Sequence, residues 1–185
     1  MRDLVLVDAQ PARVRLFREA IAVYRERLEH LQTRNEAVTE KARTQMERAR
    51  KASRALQSAT LRRRDLASRR QAPDEVRLHV FPCTEEALKF LRQEPPYEWA
   101  PRPTVVFTDL YLEETARASV IEELKADAGL RSIPAVTLCS EATEAQIREA
   151  WAAGSNAVVR LSGETPAMLS QVADTLEFWL QEAVL

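Results

Sequence analysis

The sequence predicts an α/β fold, in which five parallel strands form a doubly wound sheet and the first helix carries a long coiled-coil extension. Three observations predict it. Short apolar runs alternate with amphipathic segments, two of these runs end at an aspartate, and one segment keeps a heptad pattern without a slip. Alternating strands and helices are typical of a parallel sheet covered on both faces. A chain of 185 residues fits one such domain with an appendage.

The first element is a buried strand. Residues 4–7 read Leu-Val-Leu-Val, a run too short for a helix and apolar throughout, as in a strand that helices cover on both faces. Asp8 ends the run, and Pro11 stands where a helix would begin.

The second element is a long helix. Between Pro11 and Pro73 there is neither glycine nor proline, and apolar residues recur at alternating steps of three and four. This repeat predicts a coiled coil with a narrow apolar seam; a solvated, Arg-rich amphipathic helix is the alternative. We predict an α/β domain of residues 1–25 and 73–185 and a helical arm of residues 26–72. The seam of the arm contains Leu28, Leu31, Asn35, Val38, Ala42, Gln45, Ala49, Ala52 and Leu56.

After Pro73, four more strands alternate with four helices. The strands are predicted at residues 76–80, 104–108, 133–138 and 157–159. Thr84 is expected to cap a helix that ends at Leu91, and Thr165, followed by Pro166, to cap the last helix. The two helices between them surround residues 120–124 and 147–151. In such a sheet, ligands bind beyond the carboxyl ends of the strands.

The net charge of −1 conceals a basic arm on an acidic body. Residues 12–72 contain 17 basic and seven acidic residues, whereas residues 73–185 contain nine basic and 19 acidic ones. The cluster Arg62–Arg64 could contact nucleic-acid phosphates. Because no DNA-reading motif or set of stacking aromatic residues accompanies it, we favour a solvated face or an acidic protein partner.

Several functional classes have no support in the sequence. Cys83 and Cys139 form no CxxC pair, so we expect reduced thiols and no structural metal. There is no glycine-rich phosphate loop and no Ser/His/Asp set, so we do not expect an enzyme. No apolar run approaches the ~20 residues of a membrane span, and the first residues lack a secretory signal. We expect a cytoplasmic protein without membrane contact.

Three segments carry a resemblance to a known family. The stretches PTVVFTDLYL, ELKADAGLRSIPAVTL and LEFWL resemble the receiver domain of bacterial response regulators, and most closely the single-domain regulators that serve phytochromes. The resemblance implies the flavodoxin-like receiver fold and a role in two-component signalling or a phosphorelay. It also implies that Asp109 is the position that accepts a phosphoryl group from a histidine kinase, and that Asp8 belongs to the acidic pocket that holds Mg²⁺.

Three signature positions depart from the family's pattern. Ala9 replaces the second acid, Cys139 replaces a hydroxyl residue, and Leu161 replaces a lysine. Phosphoryl transfer depends on charge neutralisation, and a hard cation needs several oxygen ligands. We therefore predict a degenerate pseudo-receiver without catalytic residues or a cofactor. The alternative is a working regulator that is phosphorylated on Asp109, with weak Mg²⁺ binding at Asp8 and Asp109.

Two arm geometries reconcile a long helix with neighbouring first and second strands. In a hairpin, the chain turns near residue 44, where Thr44 and Glu47 could form a capping box. In a domain-swapped homodimer, the unbroken helix runs antiparallel to that of a second copy, and the first strand of each chain completes the sheet of the other. We favour the dimer because no helix breaker lies near the midpoint, and because most acids precede residue 48 whereas residues 48–70 are strongly basic. The predicted function is a dimeric protein–protein interaction module whose partner is a histidine kinase or another signalling protein.

Overall fold

The structure of the chain is a computed structural model. It describes residues 2–54, 75–110 and 119–182, and for residues 47–54 it describes the backbone alone. The chain divides into two units, one within Met1–Tyr24 and Asp74–Leu185 and the other within Arg25–Pro73.

The short apolar runs form one parallel sheet. Its strands are β1 (Arg2–Val7), β2 (Val76–Phe81), β3 (Val105–Asp109), β4 (Ala135–Cys139) and β5 (Ala157–Arg160). They lie in the order β2-β1-β3-β4-β5, and every neighbouring pair is parallel. This is the flavodoxin-like strand order, so the predicted fold class is confirmed.

The strand order reverses between β1 and β3. From β1 the chain continues to β2 on one side, and from β3 it continues to β4 and β5 on the other. Asp8 directly follows β1, Asp109 ends β3, and the two strands pair through Val7 and Thr108. Both carboxyl groups therefore lie at the switch point, where sheets of this kind bind ligands.

Helices connect the strands. They are α1 (Pro11–Arg54), α2 (Thr84–Leu91), α3 (Val120–Ala126), α4 (Glu144–Ala152) and α5 (Thr165–Glu177), which continues into a π-helical turn over Phe178–Glu182. Within the part of the chain that the structure describes, no helix is both long and apolar enough to span a bilayer.

The two predicted threonine caps are wrong by one residue. Cys83 precedes α2 and Glu164 precedes α5 in extended conformations, and neither side chain makes a capping hydrogen bond. Thr84 and Thr165 are consequently the first helical residues. Side-chain capping boxes form instead at α3, where Ser119 pairs with Glu122, and at the start of α4.

The core lies on both faces of the sheet because strand side chains alternate. Val5 of β1 and Val106 of β3 belong to a buried cluster with α2 and α3. On the opposite face, the ring of Phe107 meets that of Phe17 from α1 edge to face, with 5.1 Å between centroids. The buried face of α1 in this unit consists of Leu16, Phe17, Ala20, Ile21 and Tyr24.

In the second unit, α1 continues to Arg54 without a break. Thr44 lies inside the helix, and its hydroxyl donates to the carbonyl oxygen of Glu40 at 2.9 Å. The turn that the hairpin alternative places near residue 44 is therefore wrong. That hydroxyl is satisfied within the helix and does not act as a cap, and no breaker residue interrupts the backbone ladder.

The apolar seam of the arm is uncovered in the single chain. Leu31 is 44% exposed and Val38 is 59% exposed, whereas Leu28 is half-buried. Asn35, Ala42 and Gln45 are also exposed. The side chains of Ala49 and Ala52, all of Leu56 and the cluster Arg62–Arg64 lie outside the described residues, so the predictions made for them stay predictions.

Candidate functional site

Two buried carboxyl groups form the centre of the candidate site. Asp8, which follows β1, is 2% exposed, and Asp109, which ends β3, is 6% exposed. The Oδ1 atom of Asp8 accepts a hydrogen bond from the backbone N–H of Gln10 at 2.7 Å. The structure thus brings together the two acids that the sequence singled out.

A buried arginine contacts both acids. Arg13 lies in the first turn of α1 and is 9% exposed. Its Nε atom is 3.3 Å from Oδ2 of Asp8, and its Nη1 atom is 2.5 Å from Oδ1 of Asp109. One guanidinium therefore cross-links the ends of β1 and β3.

These contacts are charge pairs and not aligned hydrogen bonds. Oδ2 of Asp8, Nη1 of Arg13 and Oδ1 of Asp109 are buried, and none of them has a hydrogen bond of acceptable geometry. Their short separations nevertheless bring opposite charges into contact where water is largely excluded, so Coulomb attraction is strong. Arginine keeps its charge at any physiological pH, so the acidic pocket contains a permanent cation.

Burial governs the protonation of Asp8. Loss of hydration raises the pKa of Asp8 above its ordinary value of 3.8, and the charge of Asp109 adds to this effect. The N–H of Gln10 and the guanidinium of Arg13 act in the opposite direction but do not cancel it. Ionised Asp8 therefore lowers stability above its raised pKa.

We expect Asp8→Asn to change how stability depends on pH. In the wild type, the cost of ionised Asp8 disappears as the pH falls through the raised pKa toward 3.8, the ordinary value that applies to the unfolded chain. The free energy of unfolding of the wild type should therefore rise relative to that of Asp8→Asn across this window. Urea unfolding of both proteins at a series of pH values measures the difference. A relative decrease on acidification would contradict the assignment.

The thiol of Cys139 is directed to the neighbouring strand. Cys139 is fully buried at the end of β4, and its Sγ atom donates to the carbonyl oxygen of Val159 at 3.7 Å. Burial raises the pKa of this thiol above its ordinary value of 9.0, although Arg160 lowers it in part. Cys139 is therefore a neutral thiol that is hydrogen-bonded to the β5 backbone.

Neither of the other two departures from the family's pattern, Leu161 and Ala9, places a charged side chain in the pocket. Leu161 follows β5, is buried, and donates its backbone N–H to the carbonyl oxygen of Cys139 at 2.7 Å. Its neighbour Arg160 is exposed, and its guanidinium donates to the carbonyl oxygen of Ala142 at 3.5 Å. Ala9 is exposed and carries no ligand atom in its side chain.

The residues present do not fit the Mg²⁺ ion that the receiver fold implies. Mg²⁺ requires near-octahedral oxygen coordination, and the pocket offers the carboxylates of Asp8 and Asp109 with Arg13 already in contact with both. Among the described residues, no three Asp, Glu, His or Cys side chains are grouped so that they could hold a metal. The guanidinium occupies the position between the carboxylates that a bridging cation would need.

Sequence reasoning missed Arg13. The buried face of α1 repeats at Leu16, Phe17, Ala20, Ile21 and Tyr24, and extending this pattern one turn toward the N-terminus reaches Arg13. The available signal was a charged residue on the buried face of the helix that follows Asp8, because a buried charge needs a partner of opposite charge.

Comparisons with known proteins show similarity in sequence and in fold. No protein-family model matches the chain. The response regulator Rcp1 of Synechocystis sp. is 28% identical over 99 residues, which are 54% of this chain and 67% of Rcp1.

Several solved structures share the fold of this chain. The phosphorylated cyanobacterial phytochrome response regulator RcpA is 24% identical, with a TM-score of 0.66 over 100% of this chain and 97% of RcpA. The Mn²⁺-bound form of Rcp1 is 19% identical, with a TM-score of 0.66 over 100% of this chain and 99% of that one. The chain therefore has the fold of these response regulators, and its sequence is similar to that of Rcp1.

Proposed function

We propose that this chain is a phosphorylation-silent receiver that works as a dimeric interaction module in two-component signalling. The observation that carries the proposal is the state of Asp109. This carboxyl group is buried and in contact with a permanent cation of its own chain. A nucleophilic carboxylate must approach a phosphorus atom with its charge neutralised by cations that also hold the phosphoryl oxygens, whereas Arg13 is engaged by both acids.

The departures at Ala9, Cys139 and Leu161 support the same proposal. Each removes an oxygen ligand, a hydroxyl or an ammonium that phosphoryl transfer would use, and none of the three side chains supplies a substitute. Without that chemistry the module binds partners and catalyses no reaction. Because RcpA is a phytochrome response regulator, we propose a phytochrome-linked histidine kinase or a protein of the same signalling system as the partner.

The test is phosphorylation of the purified chain. We expect no Mg²⁺-dependent acyl phosphate after incubation with acetyl phosphate, and no beryllofluoride adduct, by intact-protein mass spectrometry and ¹⁹F NMR. Asp109→Asn should give the same result as the wild type. RcpA, whose phosphorylated form is known, serves as the positive control. An adduct that forms at the rate seen with RcpA and is lost in Asp109→Asn would establish the working regulator instead.

We propose that a second copy of the chain covers the seam of the arm. Leu31, Val38 and Met46 are large apolar side chains that the single chain leaves exposed. Antiparallel pairing would place most of the acidic residues of one arm, which precede residue 48, beside the basic residues that follow residue 47 in the other. In the single chain, β1 pairs with β2 of the same chain, and the exchange of β1 between two copies stays a prediction.

A further inference from the structure

We propose that Arg13 is the resident counter-ion of the acidic pocket and that its guanidinium excludes divalent metal ions from it. The chain would thus have a latent metal site that its own arginine occupies. This role rests on the proposed function, in which the pocket operates without Mg²⁺.

The contacts of the guanidinium support this role. Two different nitrogen atoms of Arg13 contact the two acids, Nε at Asp8 and Nη1 at Asp109. A cation that bridged the same carboxylates would have to displace the guanidinium or lie against it with like charge. Because arginine cannot lose its proton in proteins, deprotonation offers no way around this repulsion.

Burial makes the guanidinium necessary. Removing one partner of a buried ion pair leaves charge without compensation, which is strongly unfavourable. Without Arg13, Asp8 and Asp109 would be two buried like charges at the same edge of the sheet. Such a pair either takes up a proton or binds a cation, and oxygen ligands of this kind suit Mn²⁺ and Mg²⁺.

The unsatisfied atoms are consistent with this substitution. Oδ2 of Asp8 and Oδ1 of Asp109 each face Arg13 without an aligned hydrogen bond. Arginine and a single carboxylate frequently form a bidentate pair with two parallel hydrogen bonds. Here one guanidinium is divided between two acids, as a single shared cation would be.

The experiment compares Mn²⁺ binding to the full-length wild type, Arg13→Met and Arg18→Met. Methionine has a similar length and no charge, and Arg18 is an exposed arginine on the same helix, so Arg18→Met is the matched control. Free Mn²⁺ is measured by electron paramagnetic resonance, and thermal unfolding is followed with and without MnCl₂. We expect Arg13→Met to bind Mn²⁺ at least about 10-fold more tightly than the other two proteins. At a Mn²⁺ concentration about 100 times its Kd, its Tm should rise by about 5–10 °C.

Two further variants assign the effect to the pocket. Arg13→Met combined with Asp109→Asn should lose the gained affinity, because one of the two carboxylates is gone. Arg13→Lys retains a cation and should bind Mn²⁺ as weakly as the wild type. Equal Mn²⁺ affinity of the wild type and Arg13→Met would overturn the proposal, as would a gain that survives Asp109→Asn.

The variants remain informative if Arg13→Met is unstable. Arg13→Gln keeps a polar side chain of similar length, and folding of either variant only in MnCl₂ counts as metal binding. Failure of both to fold with or without Mn²⁺ would overturn the proposal, since the released carboxylates would then not accept a divalent cation. A wild type that stays unphosphorylated while Arg13→Met gains no Mn²⁺ affinity overturns this inference alone. A phosphorylated wild type overturns the proposed function.

Discussion

Phe107→Ala is expected to destabilise the α/β unit, which comprises Met1–Tyr24 and Asp74–Leu185, by about 3–5 kcal/mol, the range for deleting a buried phenylalanine ring. Phe107 is fully buried at the centre of β3 and packs against the ring of Phe17 from α1, with 5.1 Å between the ring centroids. The deletion would leave a cavity between the sheet and the helix that carries Arg13. Domains are commonly stable by only about 5–15 kcal/mol, so this single change would remove a large part of the total. Urea unfolding followed by circular dichroism measures it.

Phe178→Ala is the matched control for this prediction. It deletes the same ring from a residue that is 48% exposed, so the loss of stability should be much smaller. Equal losses for the two variants, or a loss below about 1 kcal/mol for Phe107→Ala, would contradict the packing of α1 on this face of the sheet.

Leu31→Glu combined with Val38→Glu is expected to convert the proposed dimer into a monomer. Each dimer would then bury four carboxylates along the apolar seam, and burying unpaired charge is costly. We expect association to weaken about 100-fold or more, which corresponds to about 2.7 kcal/mol. Light scattering and sedimentation equilibrium over a concentration series measure the mass and the Kd.

Thr33→Glu combined with Ala37→Glu is the charge-matched control. Both positions are exposed in the single chain and lie off the heptad seam, so the same added charge should leave the dimer mass unchanged. Equal weakening by the two double variants would mean that net charge and not the seam controls association. A wild-type mass of one chain at every concentration would contradict the dimer itself.

The strands were predictable because buried parallel strands leave a simple sequence signal. Each is a short apolar run bounded by a polar or turn residue, as Leu4 to Val7 are bounded by Asp8. The helix caps were harder to predict. Thr84 and Thr165 are good capping residues, but the extended backbone of Cys83 and Glu164 starts each helix one residue earlier. Cap position depends on where the loop enters the helix, which capping preference does not determine.

The sequence by itself determined the sheet, the place of Asp8 and Asp109 at its carboxyl edge, and a long first helix with a heptad repeat. It left a turn near Thr44 open, and the structure shows the helix continuing through that residue. Short-range periodicity and strand alternation suffice for these features, since they depend on neighbours along the chain. Only the tertiary structure decided which of the many arginines enters the acidic pocket. That choice depends on how α1 is rotated about its axis against the sheet. The packing of Phe17 on Phe107 sets this rotation, and these two residues are 90 positions apart in the sequence. Burial then gives Arg13 its role, because two carboxylates removed from water need a cation beside them to stay ionised.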